Sequence, residues 1–406
     1  MYDNLAVFAG FAFLYSLIAG RVERSFLTGP ILYIAFGLLA GPTGLGILNI
    51  EVDAVELRVL ADLTLALVLF NDAAKADLKT LHSHSYIPAR MLLIGLPLCM
   101  VLGAALGMLV FPDMGFYEVC VLSTMLAATD AALGKAVVSN PEVPAHVREG
   151  LNVESGLNDG LSVPVLLVFL ALASGSASTD ESGDLAMRLV LEELLIGVAV
   201  ALVLVSIAAW LMRFAAARGW FTDIWLQIPV VTLALTCFAT AQSLEGSGFI
   251  ACFVGGLLFG YLAQEHTHML VRAAEELGEL AAMLTWVVFA AVFMGTYLVH
   301  LTWQIVLYAV LSLTVIRMLP MLLSLVGTSE PLENRLFMAW FGPRGLASIV
   351  FLVIVSDAGL SSESVLIPTV MLTITLCILA HGLTSNAWAR RLARRDASPG
   401  ASGHGG

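Results

Sequence analysis

Charge is scarce in this chain: Asp, Glu, Lys and Arg make up 12% of its 406 residues, while 59% are hydrophobic. A folded soluble domain needs a polar stretch of roughly 50 residues or more, and the longest connection between apolar runs, residues 174–187, falls far short. A soluble enzymatic or nucleotide-binding domain is excluded, so no enzymatic activity, catalytic residue, cofactor or nucleic-acid partner is expected. Cysteine is sparse too. The five present, Cys99, Cys120, Cys237, Cys252 and Cys377, all lie inside apolar runs, where burial as small hydrophobes explains them better than a disulfide or metal frame. Basic residues are missing ahead of the first apolar run, residues 5–20. A cleaved signal peptide carries positive charge there, so this run is expected to remain as a membrane helix.

What fills the chain is a series of apolar runs near the roughly 20 residues that cross a bilayer as helix. Read against Gly, Pro and polar breakers, they predict an all-α polytopic membrane protein of about thirteen transmembrane helices. The segments fall near residues 4–20, 28–49, 56–74, 88–111, 116–138, 148–173, 188–215, 224–243, 247–263, 276–299, 301–326, 335–355 and 364–386. Alternate loops and the C-terminal stretch hold fifteen of the nineteen Lys and Arg residues, from Arg21 and Arg24 to Arg394 and Arg395. The positive-inside rule makes that side cytoplasmic, with the N-terminus outside and the C-terminus inside a plasma (cell inner) membrane. Glu51, Asp53, Asp113, Glu118, Asp180, Glu181 and Asp184 tint the opposite side negative, a field that favours approaching cations.

An odd count is informative, because two six-helix units joined by a seventh helix run in opposite directions. The expected organisation is a membrane transport domain, residues 1–386, made of repeat one (1–173), a linker helix (188–215) and repeat two (224–386), followed by a short basic and disordered cytoplasmic tail, 387–406. Matching segments of the two repeats are both interrupted. Segment five carries Ala128-Thr129-Asp130-Ala131-Ala132-Leu133-Gly134-Lys135, and segment twelve carries Phe341-Gly342-Pro343-Arg344-Gly345. Interrupted segments in corresponding positions point to a transporter's central site. Both breaks hold a charge, so Asp130 can compensate a helix N-terminus and Arg344 a helix C-terminus.

Segment six carries the sharpest signal, an acid amid apolar residues. A carboxylate at the bilayer centre costs about 2.5–3.5 kcal/mol on insertion scales and usually marks an ion or proton path, which singles out Asp159. Ser155 lies four residues before it on the same helix face, and Glu154 and Asn158 share the adjoining face. Gly156 and Gly160 form a small-residue pair open to a close neighbour; approach by the unwound part of segment five is expected to bring the Thr129 carbonyl near Asp159. Carboxylate, hydroxyl and carbonyl oxygens suit a hard monovalent cation, so sodium is expected at Asp159, Ser155 and Thr129, in competition with a proton.

These residues carry a resemblance. Thr129-Asp130, the run from Glu154 to Gly160, and Gly342-Pro343-Arg344-Gly345 resemble the signature stretches of monovalent cation/proton antiporters, in the NhaP-like branch related to the animal sodium/proton exchangers. The resemblance implies a homodimer with crossed broken helices, the NhaA/NhaP-like antiporter fold, working by elevator-like alternating access. It also implies electroneutral exchange of sodium, lithium or potassium for protons, since this branch has Asn-Asp where electrogenic relatives have Asp-Asp. By motif position Asp159 is the carrier, Ser155 and Thr129 supply cation oxygens, and Asn158, Asp130 and Arg344 shape the site. Glu154 is expected to pair with Arg317 rather than Arg344. Two positions depart from the family pattern: Ala131 replaces a common proline, and Asp72 follows Leu69-Phe70-Asn71 one residue later than the acid of relatives, about 100° around the helix. Asp72 is retained as a further ion or proton ligand. Outside the family, a cation channel and a proton-coupled organic solute carrier are the rivals. His84 and His268 are read as loop residues and His381 as a satisfied core side chain.

Overall fold

A computed structural model describes residues 2–22, 28–50, 54–76, 83–130, 143–175, 182–222, 225–264, 267–295 and 301–396. Every regular element among them is helical. Apart from a four-residue turn at Thr267–Leu270, these are in chain order α1 (Tyr2–Val22), α2 (Gly29–Ala40), α3 (Ala54–Ala74), α4 (Tyr86–Val110), α5 (Phe116–Met125), α6 (Ala145–Ala173), α7 (Ser182–Ala217), α8 (Ile228–Ser243), α9 (Gly248–Ala263), α10 (Arg272–Met294), α11 (Trp303–Ser324), α12 (Leu332–Trp340), α13 (Leu346–Asp357) and α14 (Glu363–Asp396). Single π turns interrupt α4 at Met91–Gly95, α10 at Ala290–Met294 and α11 at Ser312–Ile316. Among the described residues, seven helices are by length and hydropathy able to cross a bilayer: α1, α4, α6, most of α7, α10, α11 and most of α14.

Element ends differ from the expected segments where the chain supplies its own breakers. The second run was expected to continue to residue 49, but α2 stops at Ala40 because Gly41-Pro42 follows and the Gly41 N–H closes the helix on the Gly37 carbonyl, 2.8 Å away. Segment twelve divides, as its glycines and proline require, into α12 and α13 around an irregular stretch, residues 341–345. The last helix is longer than its expected segment, 364–386. Residues 387–396 continue α14 as helix, with Ala389 and Leu392 buried and Arg391 on Glu333 at 2.7 Å; the disorder expected of 397–406 lies outside the described residues.

Packing sets the alternation of direction. One apolar cluster joins Ile87 of α4, Val147 and Leu151 of α6, Met321 of α11, Phe337 of α12 and Leu392 of α14, so the starts of α4, α6 and α12 meet the ends of α11 and α14. At the opposite face Ser361, ahead of α14, donates to Glu118 at the start of α5 (2.8 Å). A larger core surrounds α3, which packs on α9, α10 and α13. All five cysteines are buried free thiols.

Candidate ion site at two crossed breaks

The two interruptions lie against each other. α5 ends at Met125, closed by the Leu126 N–H on Leu122 and the Ala127 N–H on Thr124, and the chain runs on irregularly to Asp130. Arg344 meets the carbonyls just past this end: its Nη1 donates to those of Ala127 (3.1 Å) and Ala128 (3.0 Å). In return, Asp130 Oδ2 accepts the N–H of Leu346 at 2.7 Å, the first residue of α13, and the Asp130 N–H donates to the Pro343 carbonyl at 2.7 Å. A cation thus sits on carbonyls just past the C-terminal end of one helix and an anion on the first N–H of another, both favourable orientations in the field of a helix end. The N-terminus of α13 makes no cap with its own Gly345; Asp130 supplies it from the other break.

The Gly-Pro-Arg-Gly motif can be read residue by residue. A Cβ at Gly342 would collide with the Arg317 guanidinium, and one at Gly345 with the Asp130 carboxylate. Pro343 carries no N–H to leave unpaired and offers the carbonyl that Asp130 uses. Arg344 is fully buried. The second half of segment five, with Ala131, Gly134 and Lys135, lies outside the described residues.

α6 runs beside the crossing. Ser155 Oγ donates to the Thr129 carbonyl at 2.7 Å, while the Thr129 hydroxyl donates to Glu154 Oε2 (3.3 Å) and accepts from Asn158 Nδ2 (3.2 Å). Asn158 is held on both sides: Nδ2 also donates to Glu154 Oε1 (3.1 Å), and Ser162 Oγ donates to Oδ1 (3.0 Å). Arg317, emerging just after the α11 π turn, meets Glu154 with two bonds, Nη1 to Oε1 at 2.9 Å and Nη2 to Oε2 at 3.1 Å, both side chains 1% exposed. Asp159 is equally buried, and its Oδ1 has no hydrogen-bond partner among the described residues.

Two buried acids one turn and a residue apart on α6 therefore differ: Glu154 is neutralised, and Asp159 retains an unbonded oxygen. Along the Asp159 face, one and two turns on, Val163 and Leu167 line a cavity of about 200 Å³ that also contains Arg58, Asp62, Glu193 and Glu245. Asp62 lies 3.6 Å from Arg58, with its other oxygen buried and unbonded. In the other direction lie Ser155 and then Asn152, whose amide donates to the Asp72 backbone carbonyl at 3.4 Å. Asp72 is only half-buried at the end of α3.

One packing expectation is corrected. Gly156 and Gly160 do not admit the break of segment five: they face α9, where added Cβ atoms would strike the Phe253 ring and Ile250. The break is met instead by Glu154, Ser155 and Asn158. Sequence reasoning passed over Ser162, the Leu346 N–H, and the Ala127 and Ala128 carbonyls. The last three are backbone groups with no side-chain signal; Ser162 was legible as the next turn of the Glu154 and Asn158 face.

Two breaks in the helical chain that bond to each other beside a buried acid, in an all-helical membrane protein, define an ion-transport protein of the broken-helix type. The chain belongs to the sodium/hydrogen exchanger family, whose sequence model, described as "Sodium/hydrogen exchanger, transmembrane", matches residues 9–391. It is 24% identical over 397 residues to the K(+)/H(+) antiporter NhaP of Alkalimonas amylolytica, covering 96% of this chain and 67% of that protein. It is 26% identical over 378 residues to the Na(+)/H(+) antiporter 2 of Zygosaccharomyces rouxii, covering 87% of this chain and 46% of that one. The fold matches the structure of the sodium proton antiporter MjNhaP1 from Methanocaldococcus jannaschii at pH 8, with a TM-score of 0.75 over 97% of this chain and 99% of that one, at 19% identity. NhaP is also the name carried by the Alkalimonas relative and, as MjNhaP1, by the structure whose fold matches.

Proposed function

We propose that the protein is an electroneutral sodium/proton antiporter, with lithium as an alternative cargo, in which cation and proton compete for Asp159. The observation that carries this is the contrast on α6 between Glu154, bonded at both oxygens to Arg317, and Asp159, buried with Oδ1 unbonded. The Ser155 hydroxyl and Thr129 carbonyl supply further oxygens, and a sodium ion would draw on all three. Asp72 serves one approach to the site and Asp62 the other, and alternating access connects them in turn. The protein works as a homodimer in the plasma membrane with its basic loops inside. Potassium is the second reading, because the Alkalimonas relative is named a K(+)/H(+) antiporter.

Reconstituted protein in liposomes carrying a pH gradient tests this. Sodium addition should dissipate the gradient with wild type and leave it intact with Asp159→Asn, and the same titration with potassium separates the two cargoes. An imposed membrane potential should leave the exchange equilibrium where it was. Undiminished exchange by Asp159→Asn removes the central residue from the mechanism.

A further inference from the structure

The break of segment twelve is held from a second side by three residues on one face of α14, Cys377, His381 and Thr384. His381 Nε2 lies 2.8 Å from the Trp340 carbonyl, the last residue of α12, and Nδ1 lies 3.1 Å from the Cys377 sulfur. The Arg344 N–H donates to that same sulfur at 3.0 Å. The Trp340 indole N–H donates to Thr384 Oγ1 at 3.0 Å. Cys377 is fully buried and His381 is 5% exposed. Nδ1 also lies 2.8 Å from the Cys377 carbonyl, so each ring nitrogen faces a carbonyl oxygen, and the Cys377 sulfur takes the Arg344 N–H. The Trp340 carbonyl, at the end of α12, thus faces two groups, the Gly342 N–H at 2.9 Å and the His381 ring.

We propose that Cys377 and His381 are positioning residues for the ion site: from α14 they fix the two ends of the 341–345 break and so the placement of the groups that meet segment five. The route is continuous. Trp340 and Arg344 are tied to α14, the Arg344 guanidinium and Pro343 carbonyl hold Ala127, Ala128 and Asp130, and between these lies Thr129, whose carbonyl takes the Ser155 hydroxyl. Neither residue touches the cation, and neither falls within the motifs that the exchange reading absorbed. The proposal rests on that reading, since it names what sets the affinity of the same site.

The test compares His381→Leu with His381→Gln and Cys377→Ala with Cys377→Ser, the second of each pair retaining an N–H or O–H near the lost donor. Sodium-dependent exchange is measured in liposomes, with Asp159→Asn as the blank. The apolar variants should raise the sodium KM on the order of ten- to a hundredfold, with turnover within about twofold of wild type, and the polar variants should recover most of the loss. Unchanged KM, turnover lost at constant KM, or Gln and Ser variants as impaired as Leu and Ala would overturn the proposal. Amide hydrogen exchange of the peptide covering 340–346 decides the clamp independently of transport. Faster exchange in the apolar variants alone supports it, and equal exchange in all four overturns it. Absence of sodium exchange in wild type would count against the proposed function, with the amide measurement still deciding the clamp.

Discussion

The Glu154 and Arg317 pair joins α6 to α11 with both charges 1% exposed. Arg317→Met keeps most of the apolar stem and removes the two bonds of 2.9 and 3.1 Å. Among the described residues, Glu154 then retains the Thr129 hydroxyl and the Asn158 amide as donors. Breaking a buried ion pair by removing one partner costs about 3–5 kcal/mol, because the surviving charge stays desolvated without its counterion. The double variant Glu154→Gln with Arg317→Met removes both charges, and the glutamine still accepts from Thr129. Replacement of a whole buried pair is often close to neutral, so the double variant should recover more than half of the loss. Unfolding of the purified protein in detergent, followed by tryptophan fluorescence, reads both effects. A single variant within about 1 kcal/mol of wild type, or a double variant no more stable than the single, refutes the argument that the pair is a structural strut.

Two further outcomes follow from the geometry. Gly345→Ala places a methyl group on the Asp130 carboxylate, which must abandon the Leu346 N–H; a loss of about 1–3 kcal/mol in stability and a marked fall in exchange are expected, read by thermal melting and by the liposome assay, and wild-type behaviour would show that Asp130 does not cap α13. Glu330, in the loop before α12, accepts from Asn334 (3.0 Å) and lies 3.1 Å from His146 Nε2. Burial pushes its carboxyl up, but the bonds to His146 and Asn334 and the nearby His146 and His84 charges outweigh that and hold it below its ordinary value of 4.5. Its native value is the lower one, so the stability it contributes is present above the ordinary value and is lost as pH falls through the native value. Glu330→Gln should therefore lower the melting temperature at pH 7 and cease to matter in strong acid; a difference that grows as pH falls below the ordinary value of 4.5 contradicts the assignment.

Much of this arrangement could be read from local chemistry. Segment positions followed from the length of apolar runs, because a bilayer requires backbone bonds to close within a helix. The divided segment twelve followed from Gly342, Pro343 and Gly345, and the choice of Arg317 over Arg344 as the partner of Glu154 agrees with the two short bonds between them. What spacing along one helix cannot carry is the identity of the element opposite. Gly156 and Gly160 announce a close neighbour without saying that it is α9 rather than the break, and a histidine on an apolar face announces a satisfied partner without saying that it is the Trp340 carbonyl. The helical continuation past residue 386 was hidden by its basic composition. Ala389 and Leu392 bury one side while Arg390 and Arg391 stay on the other, an amphipathic pattern short enough to pass for a tail.

The buried charges at the crossing also bear on stoichiometry. Glu154 and Arg317 cancel by direct contact. Asp130 and Arg344 bring one charge of each sign to the same crossing, each spent on the helix end of the other break. Asp159 is left over, and a lone carboxylate in a low-dielectric core strongly favours a neutral complex. One proton achieves that, and one monovalent cation achieves it equally, whereas both together restore a net charge and neither leaves one. Under the proposed exchange the crossing is neutral with either cargo bound, and movement of the loaded site across the membrane field would carry no charge. The Asn158 beside it contributes to this balance by what it is not. A second carboxylate there would need a second cation, whereas an amide bonded to Ser162, Thr129 and Glu154 keeps the tally at one. The proposed electroneutral exchange is therefore supported by side-chain identities at six positions, with no appeal to the shape of the pathway that connects them to water.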